Sequence, residues 1–214
     1  MHRRIALLSL VALSAFAPPP AGAGLPPPPQ STIPQHVLLV GRDASGNADP
    51  LGAATAVIRD FANNPVPGVE VLIDFSTTPD MRPSAAQPDP AIVSVDCPGG
   101  PVLKVVTGAN GSATFRIVGR ANLSAATAAQ LPTLRFYSQG VYLGQAIVSA
   151  YDLDGGGVGP TDLNAWLQDF FSGNYFARSD YDGNLIVGPN DLSMWLKAFF
   201  GSNSIQGGMG GVCP

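Results

Sequence analysis

A ten-residue segment occurs twice near the end of the chain. Asp162-Leu163-Asn164-Ala165-Trp166-Leu167-Gln168-Asp169-Phe170-Phe171 and Asp191-Leu192-Ser193-Met194-Trp195-Leu196-Lys197-Ala198-Phe199-Phe200 agree at six of ten positions, 29 residues apart. A tandem duplication demands that one local structure be built twice and that the two copies bury equivalent surfaces. Upstream, Val158-Gly159-Pro160 matches Val187-Gly188-Pro189 at the same offset, but Asp152-Leu153-Asp154-Gly155 matches Asp180-Tyr181-Asp182-Gly183 at 28, so one residue is missing inside the first copy. Each copy reads as an acidic turn followed by a helix. Pro160 and Pro189 suit a first helical turn, Asp162 and Asp191 place negative charge at its positive end, and Gly173 and Gly201 are helix stops. Leu163, Trp166, Leu167, Phe170 and Phe171 fall on one helical face, as do Leu192, Trp195, Leu196, Phe199 and Phe200, and the two stripes are expected to pack together. A sugar-stacking or cofactor surface is the alternative for the two Trp residues.

Charge separates this repeat from what precedes it. Residues 151–200 hold seven Asp against Arg178 and Lys197, whereas residues 35–150 hold eight acids and seven bases. The whole chain has 11 basic and 15 acidic residues in 214, so no basic surface exists for a phosphate backbone and nucleic-acid binding is excluded. Glycine and proline are abundant, at 25 and 21 residues, which favours short strands and turns. The start of the chain, Met1-His2-Arg3-Arg4 followed by an apolar run from Ile5 to Ala17 and then Ala21-Gly22-Ala23, has the form of a secretory signal peptide cleaved after Ala23. Its apolar run is too short to span a membrane. Residues 24–34, with Pro26 to Pro29, are expected to form a stiff, solvated linker. The product is expected to be secreted or held at the cell surface, with no membrane span.

Residues 35–150 alternate with period two over His36–Arg42, Ala54–Phe61, Val69–Phe75, Ile92–Val95, Leu103–Thr107, Ser112–Val118, Thr133–Ser138 and Val141–Ala150, which predicts a β-sandwich of seven or eight strands. The only Glu, Glu70, falls on the solvated face of its strand and is not equipped for acid catalysis. The Ala-rich segment 121–130 fits either a short helix or a loop. Two stretches, Val57-Ile58-Arg59-Asp60-Phe61-Ala62-Asn63-Asn64-Pro65-Val66-Pro67-Gly68-Val69 and Thr107-Gly108-Ala109-Asn110-Gly111-Ser112-Ala113-Thr114-Phe115, resemble the bacterial immunoglobulin-like domains of invasin and intimin type. The first contains a Pro-Gly turn, and the second is expected to be a hairpin turning on Asn110-Gly111. The resemblance implies a spacer or an adhesion platform, with a cell-surface glycan as one possible ligand.

The acids of the second copy have calcium-loop spacing: Asp180 at position 1, Asp182 at 3, Asn184 at 5, Ile186 at 7 through its carbonyl, and Asp191 at 12. A hard divalent cation needs short oxygen-bearing side chains at alternate loop positions converging on one centre. The alternative is that the same residues only make turns and a helix start. The first copy offers Asp152, Asp154 and Asp162, but is one residue short and has only glycines, Gly155 to Gly157, around position 5, so it is expected to be the weaker site. Leu185 stands at position 6, where a positive φ is usually met by Gly. The pattern Asp-x-Asp-Gly-Asn followed by Val-Gly-Pro-x-Asp-Leu resembles a type I dockerin. That resemblance implies paired calcium loops each followed by a helix, docking onto a cohesin domain of an extracellular scaffold, partner recognition by Pro160, Thr161, Pro189 and Asn190, and company with polysaccharide catabolism.

Cys97 and Cys213 are the only thiols, and in an exported chain a disulfide between them is plausible. Asn110-Gly111-Ser112 and Asn122-Leu123-Ser124 have the form of glycosylation sequons. No nucleophile elbow, phosphate loop or dinucleotide fingerprint is present. The expectation is a mainly β, non-catalytic protein: residues 1–23 signal peptide, 24–34 linker, 35–150 immunoglobulin-like sandwich, 151–203 calcium-loop repeat and 204–214 Gly-rich tail. An adhesion or carbohydrate-binding protein is the alternative, and a polysaccharide-acting hydrolase, which would need a carboxylate pair in a cleft, is the third reading.

Overall fold

The structure is a computed structural model that describes residues 26–43, 45–121, 133–201 and 212–213. The leader with its cleavage point, nearly all of the Ala-rich segment, the second sequon and most of the Gly-rich tail lie outside these residues. The fold is mainly β. The strands are β1 (His36–Val40), β2 (Ala54–Val57), β3 (Glu70–Asp74), β4 (Met81–Pro83), β5 (Ile92–Asp96), β6 (Val102–Val106), β7 (Ser112–Phe115), β8 (Ile117–Ala121), β9 (Thr133–Ser138) and β10 (Val141–Ala150), followed by the helices α1 (Pro160–Ser172) and α2 (Pro189–Phe200). Eight strands form a curled sheet in the order β4-β8-β1-β10-β9-β3-β6-β5, while β2 and β7 make a separate antiparallel pair. Between them lies a core that includes Val37, Leu39, Ala56, Val71, Ile73, Phe75, Leu103, Phe115, Phe136 and Val148.

Alternation located most strands, with three corrections. Ser112–Val118 is two strands, because the chain leaves the small sheet after Phe115 and enters the large one at Ile117. Between them the Arg116 N–H donates to Asp89 Oδ2 at 2.7 Å. Asn110-Gly111 is a turn, as expected, yet not a hairpin: β6 pairs with β3 and β5, β7 pairs with β2, and the turn carries the chain between sheets. The last part of the Pro-rich linker is not a free spacer. Thr32 bridges Val57, and Ile33 is buried against Gly144, whose missing side chain admits it.

The central strand β1 is parallel to both β8 and β10 and is apolar on both faces. Val37 and Leu39 enter the core between the curled sheet and the β2–β7 pair, whereas Leu38 and Val40 enter a second core with Val118, Tyr151, Trp166, Tyr181, Trp195 and Ala198. The uninterrupted run Val37-Leu38-Leu39-Val40 is what a strand covered on both sides requires. The acidic repeat is therefore packed on the outer face of the sheet. The bridge between Ser84 and Val212 and the disulfide between Cys97 and Cys213 fasten the end of the chain beside β4 and after β5.

The helices start and stop where capping chemistry places them. Pro160 and Pro189 begin α1 and α2, Gly173 ends α1 at φ 73°, and the Gly201 N–H donates to the Lys197 carbonyl at 2.8 Å. Their buried faces differ from the expected stripes. The fully buried positions are Asp162, Ala165, Trp166 and Asp169 in α1, and Asp191, Trp195 and Ala198 in α2. Phe171 and Phe200 are 77% and 78% exposed, although the expected stripes placed them inside. The inward face is rotated because the loops hold Asp162 and Asp191, and Arg178 holds Asp169. Each Trp stacks on the Phe one turn later, Trp166 on Phe170 at 5.1 Å and Trp195 on Phe199 at 4.9 Å.

Candidate functional site

Each acidic loop is folded by its own carboxylates. Asp180 opens the second loop and accepts N–H bonds from Gly183 and Asn184 on Oδ1 and from Leu185 on Oδ2, at 2.9, 3.1 and 2.9 Å. Asp152 does the same in the first loop with Gly155 and Gly157, at 2.5 and 3.1 Å. Such a wrap requires left-handed backbone at two positions: Gly155 and Gly157 both have φ 89°, and Gly183 and Leu185 have 71° and 68°. Leu185 thus holds the strained conformation expected of it.

Asp162 and Asp191 close the loops from the helix side. Their Oδ1 atoms accept from Leu153 and Tyr181, both at 2.6 Å, and their Oδ2 atoms accept from Gly159 and Gly188, both at 2.7 Å. One carboxylate therefore caps the helix N-terminus and clasps the start of the loop together. Asp154 and Asp182 stay exposed; Asp182 binds the Asn184 amide at 2.9 Å, and Asn184 Oδ1 accepts from Ile186, whose side chain points to solvent.

The result is two acidic triads, Asp152–Asp154–Asp162 and Asp180–Asp182–Asp191, each with one oxygen per residue lying within 4.8 Å of the others. Oxygens bound to calcium at about 2.3–2.6 Å sit at most about 5 Å from one another, so both sets match a calcium-sized ion. Two members of each triad are buried, and the ion pairs of the described residues lie elsewhere, at Lys104–Glu70, Arg116–Asp89 and Arg178–Asp169. Burial raises the pKa of Asp152 and Asp191, and pushes that of Asp162 up from 3.8 to about 7, even though loop N–H groups oppose it. A bound cation would reverse that cost.

Superposing the bond patterns locates the missing residue. Asp152, Gly155 and Gly157 act as Asp180, Gly183 and Leu185 do, 28 apart, and Gly159 and Asp162 act as Gly188 and Asp191 do, 29 apart. With Val158 matching Val187, the residue without a counterpart is Ile186. The first loop thus lacks the position-7 residue, and Gly156 replaces Asn184 at position 5.

No family model matches the sequence. No curated protein matches it either. Among solved structures, the chain is similar to the Yersinia pseudotuberculosis adhesin InvE, with 18% identity and a TM-score of 0.26, covering 61% of this chain and 29% of that one. The chain thus spans less than a third of that protein's length.

Three further residues reach the loops without any signal in local spacing. Tyr175 donates its hydroxyl to Asp180 Oδ2 at 2.8 Å. His36, remote in sequence, packs on Gly183, and its Nε2 is 2.7 Å from Ser149 Oγ; burial holds its imidazole below the ordinary value against the pull of Asp180 and Asp182. Arg120 Nη1 donates to the Asp154 carbonyl at 3.3 Å. The expected recognition residues Pro160, Thr161, Pro189 and Asn190 are all exposed at the helix starts, and Glu70 stands on the solvated face of β3, paired with Lys104 at 2.9 Å. Among the described residues, no helix is long and apolar enough to cross a membrane.

Proposed function

We propose that this is an extracellular, non-catalytic calcium-binding protein whose repeat is a dockerin-like docking module carried on an immunoglobulin-like spacer. One observation carries the reading: two duplicated loops each gather three carboxylates into a calcium-sized cluster through the same set of backbone bonds. Paying for the same buried negative charge twice is hard to account for by turn formation alone, since Asn would cap a helix as well without the desolvation cost. Asp180, Asp182, Asn184, Asp191 and the Ile186 carbonyl would hold the stronger ion, and Asp152, Asp154 and Asp162 the weaker. The ion's charge would fix the helix starts, and with them the exposed Pro160, Thr161, Pro189 and Asn190, as a rigid surface for a cohesin-type partner. Isothermal titration of the full chain with calcium tests the reading. Loss of the stronger site in Asp180→Ala/Asp182→Ala is expected; no heat at millimolar calcium defeats it. At free calcium of about 1,000 times the dissociation constant, linkage adds about 4 kcal/mol, so a chelator should lower the melting temperature visibly.

A further inference from the structure

The two loops meet the sheet through different side chains. In each, the glycine at position 4 lies flat against the sheet's outer face, and a Cβ there would collide with a residue of the sandwich. At Gly183 that residue is His36, 2.6 Å away; at Gly155 it is the guanidinium of Arg120. Arg120 Nη1 also bonds the Asp154 carbonyl, so the guanidinium lies on the backbone of the first loop, and its charge acts on Asp152. The imidazole at the second loop lies 2.7 Å from Ser149 Oγ and also meets the Asp180 backbone, so both loops are touched by a side chain of the sheet, but only Arg120 brings a permanent charge.

A second observation concerns the sheet. Arg120 of β8 is the register partner of Arg82 of β4, so the two side chains leave the same face of the sheet, where Arg82 also acts on Asp80. Like charges directly opposite one another destabilise a strand pair unless a counter-charge is supplied. Val118, two residues before Arg120, points into the core shared with the repeat, so this is the face that the repeat covers. The first loop brings Asp152, Asp154 and Asp162 to it.

We propose that Arg120, backed by Arg82, is the resident cation of the first loop: it balances the triad Asp152–Asp154–Asp162 and makes that loop a poor divalent-ion site, directing the ion to the second loop. The inference rests on the calcium reading above and adds that occupancy is set by the sandwich as well as by loop length. A fixed positive charge within about 8 Å of a divalent ion in a partly buried site weakens its binding about tenfold or more.

The test is calcium titration of the full chain with five single substitutions. Asp154→Asn and Asp182→Asn, both at exposed acids, assign the observed sites to the first and second loops. Arg120→Gln should strengthen the site lost in Asp154→Asn by about tenfold and leave the site lost in Asp182→Asn within about twofold, whereas Arg120→Lys should behave as the parent. In EGTA, Arg120→Gln should melt about 3 °C or more below the parent, with calcium closing the gap, and Arg82→Gln should shift both readouts the same way by less. An unchanged first-site affinity in Arg120→Gln, or equal melting in EGTA, overturns the proposal. If no variant binds calcium, the calcium reading fails, and the EGTA melting series still decides whether Arg120 balances the loop.

Discussion

Removing the Asp169 carboxylate should cost more than any loop acid, because it leaves a positive charge stranded. Arg178 donates to it from Nε at 2.8 Å and from Nη2 at 2.6 Å, and the Ser179 hydroxyl donates at 2.6 Å. The two side chains are only 11% and 3% exposed, so solvent screens little of the interaction. This is the bond that ties α1 to the turn between the repeats, and that turn, Ala177–Ser179, immediately precedes Asp180. Asp169→Asn keeps the shape and one acceptor, while Arg178 keeps its position over Phe176, 5.2 Å from the ring centroid. The loss therefore belongs at the low end of what breaking a buried pair costs, about 3 kcal/mol. For a protein of this size that lowers the melting temperature by about 6–12 °C. Urea unfolding followed by Trp fluorescence reads it directly, since Trp166 lies on the same helix. Replacing both partners, Asp169→Ala with Arg178→Leu, should recover more than half of the loss. A single-variant cost below about 1 kcal/mol would show that the pair is solvated and refute the reasoning.

Two further predictions concern the loops. Burial raises the pKa of Asp162, Asp152 and Asp191, so the native state binds protons more tightly than the unfolded chain; in EGTA the stability they contribute is full below pH about 4 and is lost as the pH rises, for Asp162 through about 7. Melting curves across that range should fall with rising pH, and calcium should flatten the upper part; a chelated protein that grows more stable from pH 4 to 7 would contradict this. Leu185→Gly should raise the melting temperature in EGTA by about 2–4 °C, because Leu185 sits at φ 68° and is 57% exposed, and strain of about 1 kcal/mol is relieved for little lost packing. A lower melting temperature would mean that the side chain packs usefully.

What was legible in the sequence was whatever acts over short spacing. Alternating residues placed nearly all the strands, and Pro160, Pro189, Gly173 and Gly201 marked the helix ends, because these effects are decided within a turn or two of chain. Met81–Pro83 escaped because three residues ending in proline carry no alternation. Pairing was not legible: Asn110-Gly111 predicts a tight turn equally well whether the strands beside it join each other or join different sheets. The rotation of both helix faces escaped for a related reason. Hydrophobic periodicity counts Asp162, Asp169 and Asp191 as solvent-facing, whereas three backbone N–H donors or an arginine can make an acid the most buried residue on its helix.

The duplication itself was plain, but its asymmetry is a property of the assembled molecule. Length alone says that the first loop is short; only the pattern of bonds says that the missing residue corresponds to Ile186, since the wrapping glycines and the capping aspartate both remain in place. The two loops also begin with the same acids and differ in what the sheet presses against them, His36 on one and Arg120 on the other, from strands more than thirty residues away in the chain. Equal acid triads do not make equal sites when one of them already faces a permanent positive charge. On the proposed calcium reading the copies therefore differ in β8 as well as in the loop itself, and substitution of Arg120 should alter ion occupancy of a repeat whose own residues are untouched.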